Sequence, residues 1–205
     1  VLTTSGALNF LLGKGVKPTY GEWFHADCDP RPHKLQFITP PHTDVVYLLA
    51  SVCNPKTWKL ILRTVGAHVL MWHAVSGDHT KQWVLENDPG TILVGAGSTI
   101  GLSAIHLGGL MGFRKFELHG FDGSFRNGRR HAGVHNGFSQ GEIPSGISPG
   151  YSTSKIMENS NVEMQNTLKN FPIFCVFHGD GAMQDWVRRE GPLNAAVDGT
   201  QKADI

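Results

Sequence analysis

Residues 91–125, TILVGAGSTIGLSAIHLGGLMGFRKFELHGFDGSF, constrain this chain more than any other stretch. A β-rich apolar run at 91–94 meets a turn at Gly95, Gly97 and Ser98, and a helix follows on which Ile100, Ala104, Leu107, Leu110 and Met111 recur at three- and four-residue steps. That spacing makes one apolar face able to pack on a sheet. Gly112 stops the helix. Phe116, Leu118 and Phe121 then mark a second strand that ends at 120–123, beside Asp122. The pattern predicts a βαβ unit with polar groups at both carboxyl ends, where open α/β sheets bind ligands.

The turn itself brings backbone N–H groups to the start of a helix, where the helix dipole favours an anion, so a phosphate is its natural guest. Gly95, Gly97, Ser98 and Thr99 are therefore candidate binding residues. The glycine spacing departs from the dinucleotide fingerprint: the third glycine is expected at Ile100 and arrives one residue late, at Gly101. The turn reads equally as a phosphate cradle and as a tight strand-to-helix connection with no ligand.

The rest of the chain repeats the alternation. A strand at 1–4 leads into a helix over 5–12, with Ser5 as its N-cap and Gly13 and Gly15 ending it. An extended run at 20–29 is broken by Pro30 and Pro32, and 44–52 is apolar enough to be a strand covered on both faces. A short helix at 55–62, a strand at 67–73, a loop over 123–150, a helix at 152–168 and a strand at 173–177 complete the pattern. Strands alternating with helices predict an α/β, Rossmann-like fold, a doubly wound and mostly parallel sheet with helices on both faces. For 205 residues, one such domain over 1–190 suffices, followed by a polar C-terminal tail at 191–205.

Composition narrows the partners. A net charge of +1 with 17% charged residues leaves no basic face for nucleic acid or an anionic membrane, and no apolar run reaches membrane-spanning length. Cys28, Cys53 and Cys175 are odd in number and widely spaced, which fits a reducing cytoplasm. The expectation is a cytoplasmic protein with small-molecule partners, and a homo-oligomer is left open.

Three places carry polar chemistry. In HADCD, strand alternation sends His25, Asp27 and Asp29 to one face, so two carboxylates and an imidazole converge. Such a pair suits Mg²⁺, which takes one or two carboxylates together with substrate phosphates; the same two acids before Pro30 are also ordinary turn residues. In RRHAGVHNG, His131 and His135 lie near Arg129 and Arg130 in the long loop, a general acid or base beside phosphate-holding arginines, or a solvated polar loop. Ser5, Gly6 and Asn9 open the first helix, where they face a nucleotide or simply cap the turn. No nucleophile elbow, Walker motif or Cys-x-x-Cys pair is present.

Taken in order, TSGALNFLLGKGVKPTY, HADCDPRPHK, DVVYLLASVCNP, the 91–125 segment, HAGVHNG and YSTSKIMENSNVEM resemble the 6-hydroxymethylpterin diphosphokinase MptE-like proteins over roughly residues 1–180. The glycine turn, helix and L-x-G-[FIM]-D strand end are the most specific part. The resemblance implies a Rossmann-like transferase domain that moves diphosphate from ATP to a hydroxymethyl pterin with Mg²⁺. Carried over, Asp27 and Asp29 would hold Mg²⁺, the 95–99 turn would touch nucleotide or substrate, and Asp122 would line the same cleft. A more distant resemblance is to bacterial CMP-sialic-acid sialyltransferases. There Asp27 and Asp29 resemble a D-x-D that meets a nucleotide sugar, and His131 or His135 would be the base. Both groups begin with an extra strand and a G-x-G-P-S-like turn that is not found here, so the domain is expected to lack its first strand and glycine turn. A non-catalytic nucleotide- or ligand-binding module is the third reading.

Overall fold

The strand and helix runs assemble, in a computed structural model that describes residues 1–75, 77–95, 97–125 and 143–198, into two compact units, Val1–Ala96 and Gly97–Ile205. The first unit is a five-stranded parallel sheet whose strands lie in chain order: β1 (Leu2–Thr4), β2 (Phe24–Asp27), β3 (Val46–Ala50), β4 (His68–Val75) and β5 (Leu93–Gly95). Helices α1 (Ala7–Gly13), α2 (Pro55–Arg63) and α3 (Asp78–Asn87) make crossovers, with a 3₁₀ turn at Pro32–Phe37. The α/β, Rossmann-like class is as expected. In the middle of β3, Tyr47, Leu48, Leu49 and Ala50 are all buried, as a strand covered on both faces requires. Trp72 of β4 joins them and donates its indole N–H to the Leu48 carbonyl at 3.0 Å.

The second unit contains α4 (Ile100–Leu110), β6 (Lys115–His119), a short antiparallel pair β7 (Ile143–Pro144) and β8 (Ser152–Thr153), then α5 (Lys155–Asn170), β9 (Phe174–His178), α6 (Ala182–Glu190) and β10 (Ala195–Val197). Its parallel sheet has the order β10-β9-β6. Leu102 and Ile105 of α4, Met164 and Leu168 of α5, Cys175 and Phe177 of β9, Val187 of α6 and Val197 of β10 form its core.

Several expectations need correction. The 91–125 segment forms its strand, helix and strand, but not one βαβ unit: β5 pairs with β4 in the first sheet and β6 pairs with β9 in the second. Ser5 does not cap α1. It sits at φ +48°, in the left-handed region, and Gly6 is the N-cap, with no side-chain cap bond. The α5 helix starts at Lys155, three residues later than predicted, because Ser152 is spent in β8 and Ser154 Oγ accepts the Met157 N–H at 3.3 Å. Residues read as a polar tail supply β10, whose Val197 is buried. Helix α3 has no apolar stripe to betray it, since Val84 is its one buried residue.

Candidate functional site

Parallel strands present their carboxyl ends to ligands, so the first sheet is read from that edge. Strand β2 ends at Asp27, which is 5% exposed. Burial pushes its carboxyl above the usual range, against the Asp29 and Cys28 N–H groups that favour the charged form. Its Oδ1 accepts the Asp29 N–H at 3.1 Å. Asp29 lies beyond the strand, in the turn, and behaves differently. Burial alone would raise it, but the Arg31 side-chain and backbone bonds and the Lys34 charge outweigh that and hold it down at about 2. Arg31 Nε reaches Asp29 Oδ1 at 2.8 Å and Lys34 Nζ is 3.5 Å from Oδ2.

His25 does not complete a cluster with these acids. It is fully buried, its Nδ1 lies 3.0 Å from Thr3 Oγ1, and burial pushes its pKa down to about 4. Among the described residues no group of three or more His, Cys, Asp or Glu is arranged to hold a metal. The pair predicted from strand alternation therefore divides: the strand stops at Asp27, and Asp29 turns to its own basic neighbours. Within α1, Asn9 donates its side-chain amide to the Gln36 carbonyl at 2.8 Å and ties the helix to the 3₁₀ turn.

The glycine turn before α4 already holds an anion. Gly97 is required there, because a Cβ would lie 2.6 Å from Leu102 Cδ1. Ser98 donates both its N–H and its hydroxyl to Glu163 Oε2, each at 2.7 Å, and Thr99 Oγ1 lies 3.3 Å from Ser160 Oγ. A carboxylate from α5 thus takes the place that a phosphate was expected to take. Nothing in the local sequence marks Glu163 as that partner. Removing it in Glu163→Ala is expected to cost about 1 kcal/mol, a fall of roughly 2–4 °C in a thermal melt. An unchanged melt would mean that the contact does not hold in solution.

Asp122 serves the start of α6. Its carbonyl accepts the Met183 N–H at 3.1 Å, its Oδ1 accepts from Gln184 Nε2 at 3.1 Å, and Ser124 Oγ accepts the Ala182 N–H at 3.1 Å. Gln184 is fully buried and also donates to the His178 carbonyl. His178 itself lies between Glu117 Oε2 at 2.7 Å and Asp198 Oδ2 at 3.0 Å, and stacks on His119 at 4.1 Å. The hydrogen bond to Glu117 leads the interactions that raise its pKa. His131 and His135, with Arg126, Arg129 and Arg130, lie outside the described residues.

Two further features escaped the sequence reading. The second unit has a cavity of about 640 Å³ lined by Trp186, Leu168, Lys169, Arg189 and Gln165 among others, and no predicted site residue lines it. In the first unit, Ser51 Oγ is 2.7 Å from His73 Nδ1, and Asp88 Oδ2 is 3.5 Å from His73 Nε2. These three residues are 15 or more positions apart in sequence, so only the strand register could reveal them. Compared with known proteins, the chain matches no family model, no curated protein and no solved structure.

Proposed function

We propose that the chain is a nucleotide-binding transferase domain, most like one that moves diphosphate from ATP to a hydroxymethyl pterin-type acceptor, with Asp27 as the carboxylate that answers to Mg²⁺. The observation that carries the reading is Asp27 itself. A carboxylate buried at the carboxyl end of a parallel strand, with no salt bridge among the described residues, is costly unless a cation meets it.

Mg²⁺ prefers hard oxygen ligands and usually takes one or two carboxylates with waters and phosphate oxygens. Asp27 meets this need: the Asp29 and Cys28 backbone N–H groups reach its carboxylate, and no side-chain ion pair holds it among the described residues. Asp29 does not, because Arg31 and Lys34 already occupy it. The notion of two equivalent acidic ligands therefore narrows to one ligand, with Asp29 holding the turn and its basic residues. Mg²⁺ would supply neutralisation of phosphate oxygens. Asp27 would hold that charge at the strand end, where diphosphate transfer to an acceptor hydroxyl would need mainly positioning and electrostatics.

The test is calorimetric titration of ATP with and without Mg²⁺, on wild type and Asp27→Asn. Mg²⁺ should tighten ATP binding by about tenfold, roughly 1.4 kcal/mol, and the asparagine variant should lose that gain. An equal gain in the variant would remove Asp27 from the site. In a parallel thermal-shift series, protection by CMP or UDP sugars rather than ATP would favour the glycosyltransferase reading, and no protection by any nucleotide would end both.

A further inference from the structure

The carboxyl ends of β3 and β4 bring a hydroxyl, an imidazole and a carboxylate into line. Ala50 is the last residue of β3 and pairs with Trp72, and the Ser51 N–H continues the ladder by donating to the Trp72 carbonyl at 2.8 Å. Ser51 therefore comes abreast of His73. On the far side, His73 pairs with Leu93 of β5 and donates its N–H to the Ile92 carbonyl. The backbone on both sides of the imidazole is thus held by ladder bonds.

The side chains divide by exposure. Ser51 is exposed just past the strand, ahead of α2, while His73 is only 8% exposed. Ser51 Oγ and His73 Nδ1 are 2.7 Å apart. Among the described residues, His73 Nε2 is buried and makes no hydrogen bond, and Asp88 Oδ2, at the C-cap of α3, lies 3.5 Å from it. A carboxylate only accepts, so it favours the tautomer with its proton on Nε2. Nδ1 is then the acceptor, and the Ser51 hydroxyl donates to it. An exposed hydroxyl donating to a buried imidazole that faces a carboxylate is the arrangement that activates a serine, with the two ring nitrogens exchanged relative to the familiar triad. Catalytic hydrogen bonds are often long before substrate binds, so 3.5 Å at Nε2 is compatible with that role.

We propose that Ser51 is the nucleophile of an acyl-transfer centre for small carboxylic esters or thioesters, with His73 as its general base and Asp88 orienting the imidazole. In the first step Ser51 Oγ forms a bond to the acyl carbon as its proton passes to His73 Nδ1. The ester C–O or thioester C–S bond then breaks, and the leaving alcohol or thiol takes that proton. Water attacks the acyl-serine in the second step, gives its proton to Nδ1, and releases the carboxylic acid as the proton returns to Ser51. The proposal does not draw on the nucleotide reading.

The test uses a fluorophosphonate probe on the full chain, without nucleotide or Mg²⁺, with peptide mass mapping, alongside hydrolysis of p-nitrophenyl acetate. Wild type should be labelled at Ser51, and ester hydrolysis should fall about 100-fold in Ser51→Ala and in His73→Gln. Thermal melts check that the variants fold; Asp88→Asn, at a half-exposed helix end, serves as the second variant and should also slow labelling. An unlabelled Ser51 in wild type overturns the proposal. So does labelling that proceeds equally in folded His73→Gln or Asp88→Asn protein.

Discussion

Gly181→Ala is expected to destabilise the second unit by about 3 kcal/mol, as the sum of an overpacking term and lost hydrogen bonds. A Cβ at this position would lie 2.5 Å from the Asp122 carbonyl oxygen, 2.7 Å from its Cβ and 2.9 Å from its Cα. Two of those three atoms are backbone, so no rotamer change relieves the clash. Moving Asp122 away would strain its acceptance of the Met183 N–H and the contact of its carboxylate with Gln184, which together secure the start of α6. That helix carries Met183 and Val187 into the core beside Phe177. Urea unfolding is the measurement. Gly109→Ala is the control, because nothing lies within 4 Å of its Cβ position and it sits in α4, where alanine is the better helix former. Gly181→Ala protein as stable as wild type would show that Asp122 does not lock α6 in this way.

His25 is expected to take roughly 3 kcal/mol of stability from the first unit as the pH falls from about 6.5 to about 4, while Asp27, its carboxyl raised by burial, works against that loss toward the acid end. The direction follows from the tautomer. Thr3 Oγ1 donates to the Phe24 carbonyl at 3.0 Å, so it accepts from His25 Nδ1, which must carry the ring proton. Nε2 then holds a lone pair, is buried, and has no hydrogen-bond partner among the described residues, with Tyr47 edge-on at 6.0 Å. Adding a proton there would bury an uncompensated charge, which is why the pKa drops from 6.5 to about 4. A base with a depressed folded pKa contributes fully above its unfolded value. Between pH 6.5 and 4 the unfolded chain binds a proton that the folded chain refuses, so stability falls by about 1.4 kcal/mol per pH unit.

Denaturant unfolding across that window, in metal-free buffer, on wild type and His25→Phe should show one proton fewer taken up on unfolding in the variant. Equal proton uptake in the two proteins would refute the buried neutral imidazole. His178 in the second unit acts with the opposite sign. Its raised pKa means that its contribution is present below the ordinary imidazole value and lost as the pH rises through the folded value. Being exposed to solvent screening, it cannot mask the larger acid effect. Asp29, held at about 2, loses its contribution only below its unfolded value of 3.8, at the edge of the window.

The alternation that defines the fold could be read residue by residue. Val46 to Ala50 announced a buried strand because five apolar residues in a row can be satisfied only with both faces covered. The short helix expected at 55–62 forms as α2, with proline in its first turn and Asn54 Oδ1 accepting the Lys56 N–H at 2.9 Å. Helix α3 and strand β10 escaped because they have few buried side chains to impose a period: Val84 in the one, Val197 in the other. At the glycine turn, where the sequence reads equally as a phosphate cradle or a ligand-free connection, the Ser98 N–H donates to Glu163, a partner that no local signal marks.

What the sequence by itself determined is the class of fold and the alternation of its strands and helices, since β-rich runs, glycine stops and apolar periods act within a few residues. The tertiary structure decided which polar groups meet. Ser98 finds Glu163 across 65 residues, Asp122 finds Gln184 across 62, and Ser51 finds His73 across 22. Such partners depend on strand register and helix packing, in which a shift of one residue turns a side chain to the other face. The same reason divides the two acids of HADCD. Both stand in the sequence as equals, but only the place where β2 stops leaves Asp27 buried at the sheet edge and sends Asp29 to Arg31 and Lys34.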